Sequence, residues 1–161
     1  MDDPNFSRTV VLIILHDNDE GTTGVVINRR GKPDDLLTGS PLMPWIVASA
    51  PPTIHFIGGP VQPEGVLCLR RDDSRDSGVE PVDLLEDSPD PTVPHRIFVG
   101  YSGWAPDQLR HEISSGGWFV VESLPGDAFD ADPATLWNRV LARQPGDLAR
   151  LGDYPDDPSL N

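Results

Sequence analysis

Four histidines, a single cysteine and one serine set between glycines are the first side chains in this sequence to weigh for covalent or proton-transfer chemistry. The serine lies in Gly100-Tyr101-Ser102-Gly103-Trp104. A nucleophile elbow reads G-x-S-x-G, and here glycine follows Ser102 directly, so the spacing fails. A hydrolase using Ser102 would need a histidine base, His16 or His111, and backbone N–H donors near Gly103 for the oxyanion. The competing reading makes this stretch a structural turn. None of His16, His55, His95 and His111 stands in the H-E-x-x-H spacing that zinc sites use. His16 ends an apolar run beside acids, where it either serves binding or proton transfer or caps a turn.

Three further stretches copy part of a ligand motif. Asp17-Asn18-Asp19-Glu20-Gly21 looks like the start of a calcium loop, but Thr22 and Asn28 stand where that loop needs glycine and a bidentate glutamate. A solvated turn is the simpler reading. Gly21-Thr22-Thr23-Gly24 and Gly58-Gly59-Pro60 lack the lysine and hydroxyl residue of a phosphate loop. Asn28-Arg29-Arg30 could hold a carboxylate or phosphate, or pair with the chain's own acids. No catalytic residue, metal or cofactor is assigned.

The chain that must position these groups has 161 residues, a length for one domain, read here as residues 1–152 with a loose polar tail over 153–161. Eighteen prolines and 15 glycines with only 37% apolar residues imply long loops. Twelve basic and 26 acidic residues give a net charge of −14. That field disfavours bare DNA and anionic membranes, so neither is expected as a partner. Cys68 is alone within an apolar run, which excludes an internal disulfide and predicts a buried, inert thiol. No run approaches the ~20 apolar residues of a membrane helix. The acidic start, Asp2-Asp3, differs from a signal peptide, and a cytoplasmic location is expected.

The patterning alternates strands and helices. Thr9–Leu15 reads as a buried central strand because both faces of its pleat are apolar, and with Gly24–Asn28 it makes a hairpin. Short helices are predicted from Pro33 and over Leu42–Ala48, the second stopped by Pro51-Pro52. Strands follow at Thr53–Ile57, Gly65–Leu69 and Arg96–Tyr101. An acidic loop spans 70–90, with a short strand at Val79–Val82. A helix from Pro106 carries Leu109 and Ile113 on one face and ends at Gly116-Gly117. Trp118–Val121 reads as the last strong strand. Asp132-Pro133 opens a final helix whose Leu136, Trp137, Val140 and Leu141 share a face. Several connections are too short for helical crossovers, so the class is α+β.

Taken in order, the residues resemble one family. Asp3-Pro4-Asn5-Phe6, Thr9-Val10-Val11-Leu12, His16, Gly24-Val25-Val26-Ile27-Asn28-Arg29, Gly58-Gly59-Pro60-Val61, Gly100-Tyr101-Ser102-Gly103-Trp104, Gln108-Leu109, Glu112-Ile113, Trp118 and Leu136-Trp137 are similar to the YqgE/AlgH pattern across nearly the whole chain. The resemblance implies a forked β-sheet curled into a partial barrel with helices packed outside. It implies no established activity. Some members carry the label of transcriptional regulator, which would act here through a protein partner. Arg30, Asp107 and Arg110 depart from the family's usual proline, glycine and acid.

The resulting expectation is a cytoplasmic, non-enzymatic binding or regulatory protein with a protein or small-molecule partner. Its expected site comprises His16, Asn28, Arg29, Gly58, Gly59, Pro60, Gly100, Tyr101, Ser102, Gly103, Trp104 and Gln108. The resemblance also implies a further strand of about ten residues upstream of the Asp-Pro-Asn-Phe segment. An edge left open there could pair with another chain and support self-association. Adding an upstream strand is expected to raise the melting temperature, and equal melting with and without it would refute that expectation.

Overall fold

The computed structural model describes residues 3–33 and 39–152. Its first apolar run forms β1 (Val11–Asp17), and β2 (Gly21–Val26) returns antiparallel, with Val11 opposite Val26 and Asp17 opposite Gly21. The turn between them is an Asx turn. Asp17 Oδ1 accepts the N–H of Asp19 at 2.7 Å and of Glu20 at 2.9 Å. These N–H groups, Glu20's first, hold the Asp17 carboxyl below its usual range. That is the solvated turn expected.

The remaining strands are β3 (Phe56–Ile57), β4 (Val61–Arg71), β5 (Val79–Val82) and β6 (His95–Trp104). Among the described residues the sheet runs β1-β2-β6-β4-β5, with β3 also paired to β6. Two expectations are corrected here. β1 is an edge strand and not a central one, and its Ile13 and Leu15 are 37% and 58% exposed. Ser102–Trp104 does not turn the chain; it is the end of β6. The apolar patterning of a segment says which faces want cover but cannot say whether a neighbour supplies it.

β6 makes the sheet fork. Along one edge it pairs with β4, from Val61–Tyr101 to Arg70–His95. Along the other it pairs first with β3, Phe56 beside Phe98, and then with β2, Thr22 to Gly24 against Trp104 to Ser102. Gly58 is the splice between these partners. Its N–H donates to Val99 O, and its carbonyl accepts both the Val26 N–H at 2.8 Å and the Ser102 hydroxyl at 3.0 Å. A Cβ on Gly58 would sit 2.3 Å from Gly100 O, and one on Gly59 would sit 2.3 Å from Tyr101 O. The glycines are thus required by close backbone approach.

The curled sheet, antiparallel except where β3 runs parallel to β6, is a half-barrel packed on both faces, giving an α+β architecture. On one face Leu12, Val25, Phe56, Leu69 and Phe98 meet Leu136 and Val140 of a helix here labelled α3 (Leu136–Ala142). On the other, Cys68, Val82 and Ile97 meet Trp45 and Ile46 of α1 (Met43–Val47). Each such large side chain contributes roughly 1.5–3 kcal/mol on full burial. Cys68 is buried, and desolvation pushes its thiol up to about 12, so it is inert as expected. Between these two helices in sequence comes α2 (Gln108–Ser114), entered through Asp107 at φ 62°, a left-handed backbone that favours glycine. A short α4 (Asp147–Leu151) follows α3. The helix expected after Pro33 falls largely on residues 34–38, and the polar tail on 153–161, outside the described residues.

One expected strand does not form. Trp118–Val121 has no regular secondary structure, and among the described residues it pairs with no strand. Phe119 and Val120 are 57% and 73% exposed.

Gly58→Ala is expected to destabilise the protein by about 3 kcal/mol, because the added methyl meets rigid backbone. Gly78→Ala, in open space at φ 71°, is expected to cost about 1 kcal/mol through backbone strain alone. Urea unfolding of both variants compares them; equal losses would mean the fork tolerates a methyl.

Candidate functional site

The fork sends β2 and β1 away from β3, and the segment leading into β1 folds back across the sheet end. Asn28 fastens that segment. Its Oδ1 accepts the Val10 N–H at 2.8 Å and its Nδ2 donates to Arg8 O at 2.9 Å. Arg29 adds a longer bond to Pro4 O at 3.3 Å. Phe6 is thereby held against two indoles, stacked on Trp104 with ring centres 6.2 Å apart and edge-on to Trp118 at 5.2 Å. Trp104 and Trp118 meet edge to face at 5.8 Å.

Glu112 of α2 orients this cluster. Its carboxylate accepts the Trp104 indole N–H at 3.0 Å, the Trp118 indole N–H at 2.7 Å and the Gln108 amide at 2.9 Å. Gln108 Oε1 in turn accepts the Ala105 N–H. Burial pushes the Glu112 carboxyl up, but the three donors, Trp118's first, outweigh it and hold the group below its usual range. Both indoles therefore keep their polar tips satisfied, with Trp104 buried and Trp118 half-buried.

Those rings wall a groove of about 380 Å³. β1 supplies Val11 and Ile13, the unpaired segment supplies Trp118 to Val121, and α3 supplies Trp137 and Val140. The Arg8 guanidinium lies 4.3 Å above the Trp137 ring. Of the chain's four tryptophans, Trp104, Trp118 and Trp137 all line this groove.

The twelve residues singled out from the sequence fall into four places. Trp104 lines the groove, with Gln108 one layer behind it. Asn28 and Arg29 hold the N-terminal segment. His16 lies at the far end of β1, its Nδ1 2.7 Å from Thr22 Oγ1. Gly58, Gly59, Pro60, Gly100, Tyr101, Ser102 and Gly103 lie at or beside the fork. Ser102 is fully buried and its hydroxyl donates to Gly58 O; neither His16 nor His111 is its partner. Phe6, Glu112, Trp118 and Trp137 also meet here; the family pattern contains all four, but none is among those twelve. Among the described residues, no group of three His, Cys, Asp or Glu side chains gathers to hold a metal ion, and no helix is long and apolar enough to cross a membrane.

The AlgH-like family model matches residues 1–149. UPF0301 protein SCO2948 of Streptomyces coelicolor is 43% identical, over 99% of this chain and 89% of its own length. A UPF0301 protein of Thermobifida fusca is 39% identical, over 100% and 90%. The crystal structure of DIP2367 from Corynebacterium diphtheriae superposes with a TM-score of 0.80 at 29% identity, covering 96% of this chain and 86% of that one. The solution structure of AlgH from Pseudomonas aeruginosa has a TM-score of 0.65 at 24% identity, covering 98% and 89%, and shares the fold.

Because Glu112 is held below the ordinary 4.5, its stabilising contribution is full above that pH. As pH falls, the unfolded chain takes up the proton first, and the contribution drains away as pH passes through the folded value. Glu112→Gln is therefore expected to melt below the wild type at neutral pH, with a gap that narrows in acid. Melting curves across pH test this; a gap independent of pH would mean that the carboxylate charge does not hold the indoles.

Proposed function

The chain belongs to the AlgH-like family, and from that premise we propose that it is a non-enzymatic binding protein whose apolar groove receives its partner. One observation carries the reading. Three indoles line a groove of about 380 Å³ while Glu112 satisfies two of their N–H groups. Binding sites are typically cavities of roughly this size, apolar with few polar anchors. Aromatic residues so placed dominate recognition energy.

The alternative, hydrolysis by Ser102, has no support in the site. A nucleophile needs an accessible oxygen and a base, and the Ser102 hydroxyl is buried and spent on the fork. The net charge of −14 makes contact with bare DNA unfavourable, so a regulatory role would run through another protein or a small molecule. A reducing cytoplasm suits the lone, buried thiol of Cys68.

Nile red, a neutral dye that brightens in apolar surroundings, tests the groove directly. The wild type is expected to bind it at one site, and Phe119→Asp to weaken binding about tenfold. Phe119 is largely exposed, so melting is expected to shift by less than about 2 °C. A dye that ignores the protein, or binds the variant equally well, would overturn the proposal.

A further inference from the structure

We propose that residues 29–32 form a docking surface for an acidic segment of a partner protein, separate from the apolar groove. Asn28-Arg29-Arg30 had two readings in the sequence, an anion site or pairing with the chain's own acids. Among the described residues that pairing does not occur. Every arginine from Arg70 onward, except the buried Arg96, has an aspartate or glutamate within 3.3 Å. Arg29 has only its 3.3 Å bond to the Pro4 carbonyl, and the exposed Arg30 guanidinium has no partner. In a chain of 26 acidic and 12 basic residues, two adjacent arginines without a carboxylate are the exception. Lys32 adds a third cation, and residues 21–33 hold no acid, so all 26 lie outside this stretch. His55, Phe56 and Ile57, which face the ribbon, bring no acid either.

The surface is held in place before anything binds. The Arg29 carbonyl accepts the Ile57 N–H and the Gly31 N–H donates to His55 O, both at 2.9 Å, with Arg30 opposite Phe56. The buried His55 ring packs on Gly31, where a Cβ would lie 1.9 Å from its Nε2. The backbone that carries the cations is thus fixed to β3 and its flank, and a ligand has only side chains to order.

Geometry decides between a single small anion and a chain of them. Arg29 and Arg30 are neighbours in an extended, paired stretch, so their side chains leave opposite faces and one phosphate or carboxylate cannot bridge both. A run of aspartates or glutamates brings several carboxylates, each able to take a guanidinium fork. A nucleic acid also brings a series of anions, but it continues past the ribbon into the field of the 26 acids, whereas a short acidic segment ends with the ribbon.

The test titrates the intact chain into a fluorescein-labelled peptide of glutamates and reads the anisotropy. Saturable binding at low ionic strength is expected, weakening as salt is added. Arg30→Glu is expected to weaken it at least about tenfold with melting unchanged, because the side chain is exposed and makes no contact that folding needs. Arg150→Glu, at an exposed position of α4, changes the net charge by the same amount and is expected to weaken it less than about twofold. Equal losses in the two variants would mean that net charge alone governs binding and would overturn the surface. A peptide that ignores the wild type would overturn it too. Inorganic phosphate or a uridine oligonucleotide that binds more tightly than the peptide and is lost in Arg30→Glu would make a phosphate ligand the occupant and overturn the acidic segment. Nile red is expected to bind Arg30→Glu as it binds the wild type, so the fate of this surface and that of the groove are read separately.

Discussion

At Gly58 the polypeptide comes so close to β6 that no side chain fits between them. One carbonyl there takes two hydrogen bonds, from the Val26 N–H and the Ser102 hydroxyl, and joins three strands. Gly59 and Gly100 are bound by the same crowding. A methyl on Gly59 would meet Tyr101 O at 2.3 Å, and one on Gly100 would meet Gly59 O at 2.4 Å. The direction in which β2 leaves β6 follows from this splice, and β1 follows β2. The position of the unpaired edge, and so of the groove, is set at glycines that do not themselves line the groove.

A second constraint holds the loops to the sheet. Arg96 points into the core from β6, fully buried, with its guanidinium 4.1 Å above the Phe56 ring. It donates to the carbonyls of Ala128 at 2.9 Å, Pro51 at 2.6 Å and Asp130 at 3.1 Å. Burial lowers its pKa to about 10, with Asp130 acting against the shift, so the side chain stays charged at neutral pH. Removing water from a cation is costly unless fixed dipoles replace it, and here backbone carbonyls from two separate loops do so. Nε is left without a partner. The loop before α3 is thus tied to the sheet, which sets where Trp137 and Val140 close the groove.

Several elements were legible in the sequence because their causes are local. The β1–β2 hairpin follows from an apolar run broken by Asp17–Glu20, and Val79–Val82 forms the strand its β-branched ends suggest. Pro44 within the first turn and Pro51-Pro52 beyond the end bracket α1. The apolar face of α3 is buried as its spacing requires, although Asp132 accepts the Thr135 hydroxyl instead of a backbone N–H. The candidate site was legible only in part. Trp104 and Gln108 stand among the expected residues, while Phe6, Glu112, Trp118 and Trp137 enter only as parts of the family pattern and reach the same place from distant parts of the chain, where no spacing rule links them.

The sequence by itself determined the class of the domain, the sign of its field, the inert state of Cys68 and the identity of most strands. Each depends on composition, on charge, or on a periodicity that a short window contains. Tertiary structure alone decided that, among the described residues, β1 is an edge and Trp118–Val121 is unpaired, and that Ser102 lies near the end of a strand with its hydroxyl consumed. These are facts about neighbours. An apolar strand carries the same pattern whether a partner lies beside it or not, because side-chain alternation encodes which faces are covered while edge pairing is made by backbone groups that every residue but proline shares.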